Sequence, residues 1–298
     1  MDESEPTTQT PVCYRHPNRQ ALLRCSRCER PICADDMIEA PVGYQCPECA
    51  SGGTRVRHLT ELMPDFTVTK GLVATIAVLY LVSRTGDFTL QFGLVPRCVG
   101  GGPVAPACTG DLEVWRLVTS GFLHANLMHI AFNGILLWRL GQMLEPVLGH
   151  ARFGALYAAG LAGGSLGVVA LAWLTARTAL PDIPVLGYVF ATAPNGVTIG
   201  ASGAVFGLMG AAMAGLRARG VDPWRTDIGS LVLLNLVLTF LIGFISVGGH
   251  LGGLIAGLVA GKLLFVDRDK AGRATVVSAL AAIGMLVLAV ALARATVG

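Results

Sequence analysis

From about residue 66 onward the chain is a succession of seven mostly apolar stretches, each near the roughly 17 to 25 residues that a membrane helix needs. They fall at about 67–83, 119–144, 153–176, 201–218, 228–247, 249–266 and 275–295. The breaks between them carry turn chemistry: Glu145-Pro146 with Gly149, Pro181 with Pro184, and Asp222-Pro223. Composition agrees, since 53% of the residues are apolar, 14% are charged and 38 of 298 are glycine. An average soluble protein has about 25% charged residues and about 7% glycine. The net charge of +3 is too small for a nucleic-acid footprint, so no nucleic-acid partner is expected. The expected fold class is an all-α membrane protein, a polytopic helical bundle in contact with the lipid bilayer.

The eight cysteines divide the chain. Six lie between Cys13 and Cys49, and the others are Cys98 and Cys108. The N-terminus, with Asp2, Glu3 and Glu5, has neither a basic-then-apolar signal pattern nor the acid-poor composition of a transit segment. Residues 1–12 read as disordered, 13–50 as a small cysteine-rich domain, 51–65 as a linker, 66–266 as a six-helix core and 267–298 as a seventh helix with the C-terminus.

Lys and Arg set the orientation, because cytoplasmic loops keep the excess of them. Arg55, Arg57 and Lys70 precede or open the first span. Arg139 and Arg152 flank the break after the second, Arg217, Arg219 and Arg225 the break after the fourth, and Arg268, Lys270 and Arg273 the break after the sixth. The alternate breaks are poorer in both. This places the N-terminus in the cytoplasm of a multi-pass cell-membrane protein and runs the even-numbered helices from outside to inside.

Ionisable residues inside membrane spans are costly and mark functional sites by default. The body offers His124 and His129 in the second span, with Asn133 and Arg139 below them, and His250 at the start of the sixth; Ser202 opens the fourth. His129 and Asn133 share one helix face, about 6 Å apart along the axis. His124, five residues earlier, points elsewhere on that helix and reads as an interfacial structural residue. The fourth span carries Gly203, Gly207, Ala211 and Gly215, and the sixth carries Gly249, Gly253, Gly257 and Gly261. Rows of small residues at intervals of four let two membrane helices approach backbone to backbone. Facing rows would make these helices parallel and bring Ser202 and His250 together at one end.

A serine hydroxyl is a weak nucleophile until a neighbouring base takes its proton, the role open to His250. Acyl transfer also needs donors aimed at the developing oxyanion. Asn133, His129 and the unpaired first N–H groups of the fourth helix supply them. No carboxylate sits at that depth, so the arrangement is a Ser-His dyad without a third member. Phe206, one turn below Ser202, either packs on the imidazole or fills ordinary core or lipid space.

These residues resemble the rhomboid intramembrane serine proteases. The resemblance rests on Glu113-Val114-Trp115-Arg116, the run from His124 through His129 to Asn133, Glu145 with Gly149, Gly200-Ala201-Ser202-Gly203, and His250 followed by Gly253 and Gly257. It covers about residues 66 to 266 and implies a six-helix core with an appended seventh helix. It implies Ser202 as nucleophile, His250 as general base, and His129, Asn133 and the Ser202 N–H as oxyanion hole. Trp115 and Arg116 match a pair in the first outer loop thought to be structural or lipid-contacting. Family members often carry tyrosine where this sequence has Phe206. The implied activity is endoproteolysis of transmembrane protein substrates near the extracytoplasmic surface, with no cofactor for catalysis. The alternatives are a non-catalytic relative that binds membrane helices and a metal transporter. The former typically loses the Ser or the His, and the latter needs carboxylates or thiols along its spans.

Residues 13–49 read Cys13-x2-His16, Cys25-x2-Cys28, Cys33-x2-Asp36 and Cys46-x2-Cys49, eight ligands for two tetrahedral zinc sites. A domain of about 40 residues has too small a core to fold on burial alone, so metal binding would supply its folding energy. The spacing resembles a B-box-type zinc finger, in which alternate pairs share a metal. That implies Cys13, His16, Cys33 and Asp36 at one site and Cys25, Cys28, Cys46 and Cys49 at the other. Asp35 is an alternative to Asp36, and a single zinc on the four cysteines is the conservative version. The domain's role is structural or the binding of a cytosolic protein partner. Cys98 and Cys108, in the first outer loop, form either a disulfide or two free thiols.

Overall fold

The computed structural model describes residues 11–40, 42–51, 66–104, 106–243, 245–265 and 270–297. Most of the N-terminal segment 1–12, nearly all of the linker 51–65, Arg268 and the boundary expected at 266 lie outside these. The chain divides into two compact units, Met1–Met63 and Pro64–Gly298.

The first unit is built from two minimal antiparallel ribbons. β1 (Leu23–Arg24) pairs with β2 (Pro31–Ile32), with Leu23 opposite Ile32, and β3 (Ile38–Glu39) pairs with β4 (Tyr44–Gln45), with Ile38 opposite Gln45. A 3-10 turn at Ala34–Asp36 and one helical turn at Pro47–Ser51 complete it. Its buried core is Cys25, Ile32 and Cys46, packed by Tyr14, Met37 and Cys49. Two-residue strands around so few apolar side chains cannot offset the entropy of ordering the chain.

The second unit is a bundle of long helices: α1 (Thr67–Ser83), α2 (Leu127–Leu148), α3 (His150–Arg177), α4 (Ser202–Ala218), α5 (Asp227–Leu241), α6 (Val247–Leu264) and α7 (Ala271–Val297). Four are long and apolar enough to cross a membrane, namely the first when its last turn is followed through Thr85, and α3, α6 and α7, whereas α4 and α5 are apolar but shorter. Each of the seven apolar stretches expected from the sequence holds one of these helices. α4, with 17 residues, rises only about 25 Å against a hydrocarbon core of about 30 Å.

Two boundaries also move. The second helix begins at Leu127, not near 119, because Asn126 caps it: its side-chain Oδ1 accepts the His129 N–H at 2.9 Å. Residues 116–122 form a separate short helix and 3-10 turn before it. The fifth helix ends at Leu241, six residues early, and Ser246 then caps α6 by accepting the Gly249 N–H at 3.1 Å.

The outer faces carry large apolar side chains, among them Val78, Leu81, Phe132, Ile135, Leu234, Ile283 and Val287, all exposed. The interior holds large side chains such as Leu137, Phe153, Leu156 and Met209, but small residues line the contacts among α3, α4 and α6, the arrangement that lets membrane helices approach closely. The two glycine rows do face each other. A Cβ on Gly253 would overlap the Gly203 carbonyl, one on Gly257 the Gly207 carbonyl, and one on Gly261 would lie 2.8 Å from Ala211 Cα. The register ascends in both helices, so α4 and α6 are parallel.

A third row was not anticipated. Gly160 and Gly164 on α3 meet Gly207 and Gly203, while Gly163 and Gly167 meet Gly252 and Gly248. α3 thus runs antiparallel to both and closes a three-helix centre in which backbones touch. α1 is tied to the end of α2 by Glu145, which is fully buried and accepts the N–H groups of Val68 and Thr69 at 2.8 Å and the Thr69 hydroxyl at 2.6 Å. Its carboxylate satisfies donors at the N-terminus of α1 that have no partner within the helix.

Candidate active site

The turn before α4 is fixed by its neighbours. Leu94 and Thr198 exchange backbone hydrogen bonds at 2.9 and 2.8 Å, and the Gly200 N–H donates to the Ser120 carbonyl at 2.9 Å. Gly200 has φ +131°, and a Cβ there would stand 2.7 Å from His129 Nε2 and 3.7 Å from Ser202 Oγ. Only glycine fits, on conformation and on space. The same numbers show that the His129 imidazole and the Ser202 hydroxyl converge on one point.

His129, half-buried, accepts the Ala125 N–H at Nδ1, 3.4 Å away, which leaves its ring proton on Nε2, the nitrogen facing Gly200. Asn133, buried one turn below, donates one amide hydrogen to the His129 carbonyl at 2.9 Å and keeps the second. Ser202 is the first residue of α4, so its own N–H has no intrahelical acceptor.

His250 is buried at the start of α6 and stacks on Phe206 with ring centroids 4.0 Å apart and planes inclined by 22°. This decides the two readings of Phe206 in favour of packing on the imidazole. Since Phe206 sits one turn below Ser202, His250 lies against the first turns of α4. Among the described residues the Ser202 hydroxyl makes no hydrogen bond, to His250 or to any other. Nucleophile-to-base contacts are often long in ligand-free sites and tighten when substrate excludes water.

The expectation that His124 points away from His129 is corrected. Because α2 starts at Leu127, His124 lies in the preceding turn, and its ring centroid is 5.0 Å from that of His129, edge to face. His124 is buried and its Nε2 accepts the Ala201 N–H at 3.5 Å, tying down the residue before Ser202. Arg116 is buried, pairs with Glu113, and donates to the Leu90 and Gly93 carbonyls at 2.7 Å. It organises the loop between α1 and α2, in which Cys98 and Cys108 are joined as a disulfide. Trp115, beside it, is exposed.

One contact at this site was not expected. His250 Nδ1 lies 2.6 Å from the hydroxyl oxygen of Thr239 on α5. The signal was present, because Asn235 and Thr239 are the polar residues in an otherwise apolar run from Leu231 to Leu241 and lie four apart, on one helix face.

In the N-terminal unit the eight candidate ligands gather as two sets. Within each, Cys25, Cys28, Cys46 and Cys49 or Cys13, His16, Cys33 and Asp36, the ligand atoms lie within 4.8 Å of one another. Cys28 and Cys46 Sγ are 3.8 Å apart, matching the edge of about 3.8 Å of a tetrahedron with Zn–S bonds of about 2.3 Å. In the other set His16 Nδ1 lies 3.8 Å from Cys13 Sγ, 3.4 Å from Cys33 Sγ and 3.1 Å from Asp36 Oδ2. Asp36 is buried among these ligands, whereas Asp35 is exposed and pairs with Arg19. Burial acts to raise the Cys25 thiol, but the N–H groups of Cys46, Arg27 and Cys28 outweigh it and hold its pKa at about 6. Both donor sets fit a divalent metal of zinc's size and preference.

Residues 111–267 match the Rhomboid domain. Similar proteins include Rhomboid-like protease 1 of Toxoplasma gondii, 31% identical over 210 residues that cover 66% of this chain and 64% of that protein. Rhomboid protease GluP of Bacillus subtilis is 32% identical over 142 residues, covering 47% of this chain and 24% of that protein. Inactive RHOMBOID-like protein 8 of Arabidopsis thaliana is 29% identical over 147 residues, 49% of this chain and 36% of that protein. The chain thus spans less than two thirds of the length of each of these relatives. With the matched domain covering just over half of this multi-pass membrane protein, the chain belongs to the rhomboid family.

Proposed function

We propose that this chain is an intramembrane serine endopeptidase that cleaves transmembrane protein substrates with a Ser202–His250 dyad. The observation that carries the reading is the convergence at Gly200, where a ring N–H of His129 and the Ser202 hydroxyl approach one point while His250 lies against the same end of α4. In the proposed reaction Ser202 Oγ attacks the peptide carbonyl carbon as its proton passes to His250. The tetrahedral oxyanion is held by His129 Nε2–H, the second Asn133 amide hydrogen and the Ser202 N–H. The C–N bond then breaks, and the departing amine takes the proton from His250. Water then attacks the acyl carbon as the same imidazole takes its proton, the bond from that carbon to Ser202 Oγ breaks, and Oγ recovers the proton from His250, which releases the acid. Gly203 belongs to this site through packing, since it lets α6 and α3 reach the first turn of α4.

The distribution of Lys and Arg supports an extracytoplasmic site and a cytoplasmic N-terminus. The retention of both Ser202 and His250 favours catalysis over a purely helix-binding role. The test is reaction of the detergent-solubilised chain with a fluorophosphonate, followed by mass spectrometry. A covalent adduct on Ser202, absent from His250→Ala, is the expected result. A folded wild-type chain with no adduct would sink the proposal.

For the N-terminal unit we propose two structural zinc ions, one on each donor set. Zinc would bind the thiolates, the His16 imidazole and the Asp36 carboxylate and so close loops that the small core cannot hold by itself. The full chain purified without added metal should carry about two zinc ions, and Cys46→Ser should lower this to about one. Chelation should render residues 11–51 sensitive to protease. Metal-free protein with an undiminished protease resistance of that unit would overturn the assignment.

A further inference from the structure

In a dyad with no acidic third member, something else must decide which imidazole nitrogen carries the proton, because only a bare Nε2 or Nδ1 lone pair can accept one from serine. The Thr239 hydroxyl oxygen lies 2.6 Å from His250 Nδ1 and 2.7 Å from the Asn235 carbonyl oxygen. A carbonyl only accepts, so the single hydroxyl proton of Thr239 goes to Asn235. The Thr239 oxygen then has lone pairs alone to offer His250, and a hydrogen bond to Nδ1 requires the proton to be on that nitrogen. Thr239 is 2% exposed, so bulk water does not compete for it. Phe206, stacked on the ring face at 4.0 Å, fixes the plane of the imidazole, and Thr239 fixes which edge of the ring points to α5.

We propose that Thr239 is a positioning residue that stands in for the orienting carboxylate of a triad. Its hydroxyl, polarised by the Asn235 carbonyl, holds His250 as the Nδ1–H tautomer and leaves Nε2 with the lone pair that accepts the serine proton. The catalytic purpose of this contact rests on the protease reading of Ser202 and His250; the tautomer itself does not.

The substitutions Thr239→Val and Thr239→Ser separate this role from packing, because the first keeps the shape and loses the hydroxyl, and the second does the opposite. In chain labelled with 15N-histidine and held in detergent micelles, the His250 signals are those lost in His250→Ala. They should report an Nδ1–H tautomer in the wild type and in Thr239→Ser, and a mixture of tautomers in Thr239→Val. Fluorophosphonate labelling of Ser202, and kcat on a transmembrane substrate, should fall about tenfold in Thr239→Val with KM unchanged, and stay within about twofold of wild type in Thr239→Ser. A wild-type Nε2–H tautomer, a valine variant that labels at the wild-type rate, or a serine variant worse than the valine variant would each overturn the proposal. A wild-type chain with the Nδ1–H tautomer that neither labels nor cleaves would overturn the protease reading while the tautomer lock stood.

Discussion

Ser202→Ala is expected to lower kcat/KM on a reconstituted transmembrane substrate by about 10,000-fold or more, and His250→Ala by a similar factor. The double variant should be no worse than either single one. The physical reason is that hydroxyl and imidazole form one device: without the base the hydroxyl keeps its proton, and without the hydroxyl the base has nothing to deprotonate. Donors to the oxyanion act on a different charge, so His129→Ala or Asn133→Ala should each cost about 100-fold and should still be measurable. Asn133→Ala also frees the His129 carbonyl, a bond at 2.9 Å, so its effect includes some loosening of α2. The assay is the initial rate of cleavage in liposomes, read by gel. Single-variant losses that multiply in the double variant would mean that Ser202 and His250 act separately and that the dyad is wrong.

Much of this site could be read from residue spacing, because helices convert spacing into geometry. The i, i+4 relation of His129 and Asn133 becomes a side-chain bond to the His129 carbonyl, and two rows of small residues become a parallel helix pair. What escaped was contact between elements that no periodicity relates. Thr239 on α5 meets His250 at the start of α6, and Glu145 reaches Val68 and Thr69 across 76 or more positions of sequence. His124 was misplaced for a local reason: the helix was extended through Asn126, a residue whose side chain is better used as a cap. The row at Gly160, Gly163, Gly164 and Gly167 was as visible as the other two. It carries no chemistry of its own, and its role emerges only when α3 is seen packed against both α4 and α6.

That three-helix centre carries the second large expectation, which concerns stability. Gly257→Ala should destabilise the bundle by about 3 kcal/mol or more, because the added methyl meets backbone and not a movable side chain. Its Cβ would overlap the carbonyl oxygen, carbonyl carbon and Cα of Gly207, so α4 and α6 must separate. Separation loses dispersion contacts along the whole interface, and lipid offers no hydrophobic force to restore them. It would also move Ser202 away from His250, since the same two helices carry both, so activity should fall along with stability. Gly284→Ala on α7 is the control: a Cβ there meets nothing within 4 Å, and alanine is the better helix former. Thermal unfolding of the two variants in the same detergent, followed by circular dichroism, should show a large drop for Gly257→Ala and no drop for Gly284→Ala. Equal unfolding temperatures would mean that α4 and α6 are not in backbone contact at Gly207, and the approach of His250 to the first turn of α4 would then need another cause.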